Sequence, residues 1–229
     1  MQQAFDQFST NIVYVRNLNT LYRHLSNDLN LLVDLSDLLR AEIVYSVSAL
    51  DKMIHEFIRI GMIQAFNGTR VKTSKFNGYT LSFDTLNNIL LFYNTPAQPA
   101  QNNPAQPPQN TPAQPAQNIP IPPPWYWFEQ EIITKHKALS FQDPAKISDG
   151  LSLIWPENHK WQQIAASMGI NESVAQITLR NIIARRNLIV HEADIDAQTG
   201  NRNVISEQDA IDSVNFIQRV GNAIFALVV

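Results

Sequence analysis

Residues 185–196 read RRNLIVHEADID, in which Arg185, Arg186, Asn187 and His191 precede Glu192, Asp194 and Asp196. Such a set has the parts needed to cut RNA without a metal, by attack of a ribose 2′-hydroxyl on the neighbouring phosphate. His191, the side chain that titrates near neutrality, would take and return the proton. Arg186, with its planar fork, would stabilise the charge growing on the phosphoryl oxygens. Asn187 would orient the imidazole or hold a phosphate oxygen, since it lies four residues before His191 and so on the same helical face. Arg186 does not share that face: at roughly 100° per residue it projects about 140° away from His191. It falls instead in the stripe of Leu179, Ile182, Ile183, Ile189, Val190 and Ala193, where an aliphatic side chain belongs. An unpaired cation there would cost several kcal/mol, on the order found for uncompensated buried ions, so the position demands a carboxylate, a phosphate or a water-filled groove. Two geometries would bring Arg186 and His191 together. Either the helix distorts near its C-terminus, or two copies of the motif meet across a two-fold axis.

Each residue also has a plainer role. Arg186 would pair with an acidic residue of another helix, His191 would face the C-terminal end of the helix dipole, and the three acids would form a solvated helix exit. Glu192, Asp194 and Asp196 lack the histidines or second ligand cluster of a metal site, and nothing in the chain asks for a cofactor. The 229 residues contain no cysteine, which excludes disulfides and thiolate chemistry, and a net charge of -3 without a dense basic run argues against a nonspecific grip on long nucleic acid. Neither a signal-like N-terminus nor an apolar run of membrane-spanning length occurs, so a cytoplasmic protein away from membranes is expected. Seven glycines leave little turn punctuation for a sheet, and an all-α fold follows.

The helices that must position the motif are legible from periodicity. Ile12, Val15, Leu18, Leu21, Tyr22 and Leu25 mark a first helix that ends near SND. From Ser36, read as its N-cap, a thirty-residue helix runs to Asn67-Gly68, with Leu39, Ile43, Val47, Leu50, Ile54, Phe57 and Gly61 as its main stripe. An irregular stretch and a short helix follow. Residues 94–124 then hold eleven of the thirteen prolines and no charge, in an eight-residue repeat (NTPAQPAQ, NNPAQPPQ, NTPAQPAQ). Proline density favours an extended polyproline II spacer there rather than core. An aromatic-led helix (WYWFEQEIITKHKALSF), a short helix from Pro156 to Gly169, a long helix capped by Asn171 that carries the motif, and a last helix opened by Ser206 with Asp209 complete the chain. The expected architecture is a single domain, residues 1–229, built as a bundle of four to five main helices with the proline-rich loop as an insertion.

Three separated stretches together resemble the HEPN superfamily of all-α domains, and within it the RiboL-PSP-HEPN branch. They are LLRAEIVYSVSALDKMIHEFIR (residues 38–59), WQQIAASMGINESVAQITL (residues 161–179) and RRNLIVHEADID (residues 185–196). The first is similar to the family's central helix signature, represented by Ser48, Leu50, Asp51, Ile54, His55 and Glu56. The last is similar to its arginine–polar–histidine site. The resemblance implies a bundle that dimerises, and a metal-independent endoribonuclease of toxin-antitoxin or anti-phage systems. By that resemblance Arg186 would be the phosphate-stabilising cation, Asn187 the orienting group and His191 the general acid/base, with Arg185 as an alternative cation. Asp51, His55 and Glu56 would be accessory, as a polar network or in catalysis. The proline-rich insertion departs from the family pattern.

Two other readings compete. WQQIAASMGINESVAQITLRNIIARRN has the outline of a helix-turn-helix, but its second helix would present Ile177, Leu179, Ile182 and Ile183 with few basic groups, which disfavours DNA. A catalytically silent helical protein, an antitoxin or assembly module using the proline-rich arm, is the alternative to the nuclease.

Overall fold

The computed structural model describes residues 1–94 and 122–229. The proline-rich stretch read at residues 94–124 therefore lies, but for its ends, outside the described residues. Among these the fold is all-α, with no strand and one isolated bridge between Ile195 and Arg202. The helices are α1 (Gln2–Arg23), α2 (Ser36–Phe66), α3 (Ser74–Asn77), α4 (Phe83–Asn94), α5 (Pro124–His136), α6 (Pro144–Leu151), α7 (Lys160–Ser167), α8 (Glu172–Glu192) and α9 (Glu207–Val228). None is long and apolar enough to cross a membrane.

Two compact units emerge. The larger comprises residues 1–79 and 138–229, the smaller residues 80–137. In the larger unit α2 is central, as its apolar circumference requires. Leu39, Ile43, Val47, Leu50, Ile54, Phe57 and Gly61 are all buried, and Met53, Ile58 and Met62 widen the covered surface. Against it pack α1 through Phe8, Ile12 and Val15, and α9 through Val214, Ile217, Val220 and Ile224. Fully removing such side chains from water stabilises by about 1.5–3 kcal/mol each, which outweighs the cost of ordering them. Gly221 allows the closest approach: a Cβ there would overlap the Phe8 ring. Phe5 and Phe225 stack at 3.9 Å between ring centroids, closing the α1–α9 contact.

Local chemistry sets most helix ends. Asn67 and Gly68, the latter at φ 78°, stop α2, and Gly169 at φ 69° makes the turn between α7 and α8. The Asn171 side chain accepts from the Ser173 amide, and Ser206 and Asp209 form a reciprocal capping box. Three boundaries differ from the expected ones. Ser36 is the first helical residue rather than the cap, and its amide donates to the Asp34 carboxylate at 2.8 Å. The helix read from Pro156 begins at Lys160, because residues 156–159 form a loop in which the His159 amide donates to Glu157. Residues 144–151 form a separate helix, α6, opened by Pro144 with Asp143 as its cap. The first helix ends in a π-helical turn, His24–Asp28, at the SND break.

In the smaller unit α4 and α5 form a helical hairpin with a buried carboxylate, Glu131. It accepts from the Ser82 amide and from the hydroxyls of Ser82 and Thr85 at 2.7–2.9 Å. Burial alone would raise its pKa, but these donors and Lys135 override it and hold the group down at about 2.

Candidate functional site

Helix α8 is anchored at both ends. Before its start Arg219 of α9 donates to the Met168 carbonyl at the α7–α8 turn, and the Trp161 indole of α7 donates to the Pro144 carbonyl of α6, fixing α7 in turn. Along its length Ala175, Leu179 and Ile182 are buried against the bundle. Its end is unusual: Ala193 and Asp194, neither a glycine, both adopt left-handed backbone with φ of 51° and 60°. The Asp194 amide returns to the Leu188 carbonyl at 2.9 Å, a Schellman-type closure built on residues for which it is strained.

What holds this turn is an ion cluster. The Asp194 side chain is completely buried, and its Oδ2 accepts from Arg40 Nε at 2.7 Å and from the Arg185 guanidinium at 2.8 Å. The Asn203 side chain donates to Asp194 Oδ1 at 3.2 Å, and the Asn203 amide donates to the Asp194 carbonyl at 2.8 Å. Arg40, itself 4% exposed, is further satisfied by Ser36 Oγ and the Asn203 carbonyl. Arg202 in turn pairs with Asp37, and more distantly with Asp34. Two cations around one buried anion, with the remaining lone pairs filled, meet the conditions under which a buried charge is tolerated. Asp194 is thus the keystone of the helix exit. This corrects the expected solvated acid: of the three, only Glu192 is exposed with no side-chain hydrogen bond among the described residues, since Asp196 caps the following turn through the Gln198 and Thr199 amides.

The adjacent arginines have opposite fates. Arg185 is the paired one. Arg186 has no carboxylate partner among the described residues; its Nη1 donates to Asn187 Oδ1 at 3.1 Å, and its buried Nε has no partner. Nothing supplies the salt bridge expected of it, although its side chain lies on the half-buried side of α8. Asn187 and His191 are exposed. Helix α8 is regular through Glu192, so the helical distortion that would swing Arg186 toward His191 is absent, and the roughly 140° between them persists within one chain. Arg186 and Asn187 are together; His191 shares a face with Asn187 but not with Arg186.

The accessory residues sit on α2. Asp51 accepts from the Phe141 amide at 2.6 Å and from the Gln142 side chain at 3.3 Å, and so tethers the segment leading into α6. His55 Nε2 lies 3.9 Å from Asp51 Oδ1, with its ring edge-on to Phe141. Glu56 is held by Lys52 and Arg59; burial opposes its ionisation, but these two cations pull its pKa below the usual carboxylate value. All three are thus engaged in contacts on α2 or with the chain entering α6. The residues that sequence reasoning missed are Arg40 and Asn203. For Arg40 a signal existed, a cation between Leu39 and the apolar turn of Ile43, which is the same anomaly that singled out Arg186. For Asn203 there was none, because its role comes from backbone groups across a short loop. Among the described residues no group of three or more His, Cys, Asp or Glu is placed to hold a metal ion. Comparison with known proteins finds no matching family model, no matching curated protein and no matching solved structure.

Proposed function

We propose that the chain is a HEPN-type, metal-independent endoribonuclease that works as a homodimer in a toxin-antitoxin or anti-phage system. The observation that carries this reading is the contrast at the motif. A half-buried arginine with an unsatisfied buried Nε and no carboxylate among the described residues stands beside an exposed asparagine and five residues before an exposed histidine. A cation left unpaired at such a position is destabilising unless an anion arrives, and a phosphodiester supplies one. His191 would take the proton of the 2′-hydroxyl as its oxygen attacks phosphorus and return that proton to the 5′-oxygen as the P–O5′ bond breaks, ending neutral as it began. Arg186 would stabilise the phosphorane oxygens, and Asn187 would orient either partner. Because a regular α8 keeps Arg186 and His191 on different sides, the two would meet across a two-fold axis, each chain supplying one half of each centre.

The test is cleavage of a single-stranded RNA in EDTA. The parent protein is expected to leave 2′,3′-cyclic phosphate ends, and His191→Ala to lose cleavage by a hundredfold or more, within the range for removal of a general acid/base. If His191→Ala cuts as well as the parent, the reading is wrong. Mixing His191→Ala with Arg186→Ala should restore part of the activity if centres are shared between chains.

A second reading, a silent partner protein, draws on exposed apolar side chains in the loops around the α8 exit: Leu32 is 101% and Val204 91% exposed. It predicts no cleavage and stable capture by another protein through these loops.

A further inference from the structure

The polar side of α8 extends well beyond the motif. Ser173, Gln176, Arg180, Ala184, Asn187 and His191 follow one another at three- and four-residue steps and so line one face. Five of them are exposed, and Gln176 is half-buried. At 1.5 Å per residue the face is about 27 Å long, with Arg180 about 16 Å from His191 along the axis. From Arg180 to His191 no acidic side chain interrupts it; Glu172 borders its first turn, where it accepts from the Gln176 side chain at 2.9 Å, and Glu192 projects to the other side. Arg180 is half exposed; its guanidinium donates to the Gln176 side-chain oxygen at 3.0 Å, and the Asp143 carboxylate is 4.0 Å away, beyond hydrogen-bonding distance. Two amides, a hydroxyl and a histidine complete a row of groups that hydrogen-bond phosphate and ribose oxygens, and no aromatic platform is present on which bases would stack.

We propose that this face is the track that holds single-stranded RNA on either side of the cut, with Arg180 gripping a backbone phosphate a few nucleotides from the scissile one. The proposal rests on the nuclease reading and adds the substrate class: a flexible single strand gripped by its backbone without base readout. It also explains how a chain with net charge -3 and no dense basic run can engage RNA. Very few phosphates are contacted, Arg180 of one chain and Arg186 of the second copy being the cations concerned, so binding is weak and shallow in its salt dependence. Each neutralised phosphate of a single strand adds a slope of about -0.7 to log affinity against log salt.

The experiment measures binding of a fluorescein-labelled oligouridylate, about twelve nucleotides long, to full-length His191→Ala protein across a salt series. Arg180→Ala in that background should weaken binding several-fold at low salt and make the slope shallower by about 0.7. Arg180→Lys should restore the slope, because it keeps the charge while losing the fork. Lys146→Ala, an exposed charge on α6, serves as the control and should leave both unchanged. If Arg180→Ala keeps the parental slope, or if Lys146→Ala shifts it equally, the track is overturned while the nuclease assignment stands. If the otherwise unmodified chain neither binds nor cuts RNA, the nuclease assignment falls and the track with it.

Discussion

At the scale of single residues, Arg185 and Arg186 separate structure from function. Arg185 donates to the buried Asp194, whereas the Arg186 Nε is buried without a partner. Replacing Arg185 by Met removes a charged hydrogen bond to a buried anion and should cost about 1.5–3 kcal/mol. Replacing Arg186 by Met removes an unsatisfied donor and keeps the apolar stem, so stability should hold or rise by about 1 kcal/mol. Urea unfolding of the two variants checks this. Equal losses would mean that Arg186 has a structural partner after all. Both arginines were visible in the sequence as a pair, and the projection that put Arg186 on the apolar side of α8 was sound. What projection alone did not show is that Asp194, two residues past the helix, turns back beneath it and meets Arg185 instead.

At the scale of elements, the α1–α2–α9 packing contains an acid. Glu42 is 1% exposed on α2, and its one hydrogen bond comes from the Asn19 side chain of α1 at 3.3 Å. Burial raises its pKa from 4.5 to about 7, Asn19 offsets part of this, Glu207 of α9 adds to it, and Arg23 of α1 opposes it. The folded state therefore holds a proton that the unfolded chain releases earlier. The resulting stabilisation is fully present below about pH 4.5, falls as the pH rises, and is gone above about pH 7. The difference amounts to roughly 3 kcal/mol. Glu42→Gln should flatten this dependence and exceed the parent in stability at pH 8, as read by chemical unfolding at several pH values. An unchanged slope between pH 5 and pH 8 would exclude Glu42 as its source. Periodicity found the helices themselves, including the stripe of α2, because a bundle buries one side of each helix. It missed α6, whose two turns are too short to show a period.

At the scale of the whole molecule, the charge-free repeat lies between Asn94 and Pro124, at the junction of α4 and α5 within the smaller unit. Those helices are joined by hydrogen bonds from Ser82 and Thr85 to Glu131, none of which involves the repeat. Deleting residues 96–120 should leave the melting temperature within a few degrees and any RNA cleavage intact, since shortening a loop changes closure entropy only logarithmically. A collapse of thermal stability would show that the repeat is part of the packed structure. Composition reads as a spacer here, because proline removes backbone donors and blocks helix and ladder alike, and the deletion tests that expectation.

The division between what the chain states locally and what only the fold decides follows from range. All-α content, the central place of α2, the Asn171 and Ser206 caps and the position of the charged motif at a helix end depend on side chains within a few residues of one another. They were legible in the sequence. The partner of Arg185 and the burial of Asp194 depend on α2 and the 194–203 loop arriving at the same place as the end of α8. Only tertiary structure brings Arg40 and Asn203 to Asp194, because they lie 154 and 9 residues from it along the chain and the contacts joining them have no periodic signature.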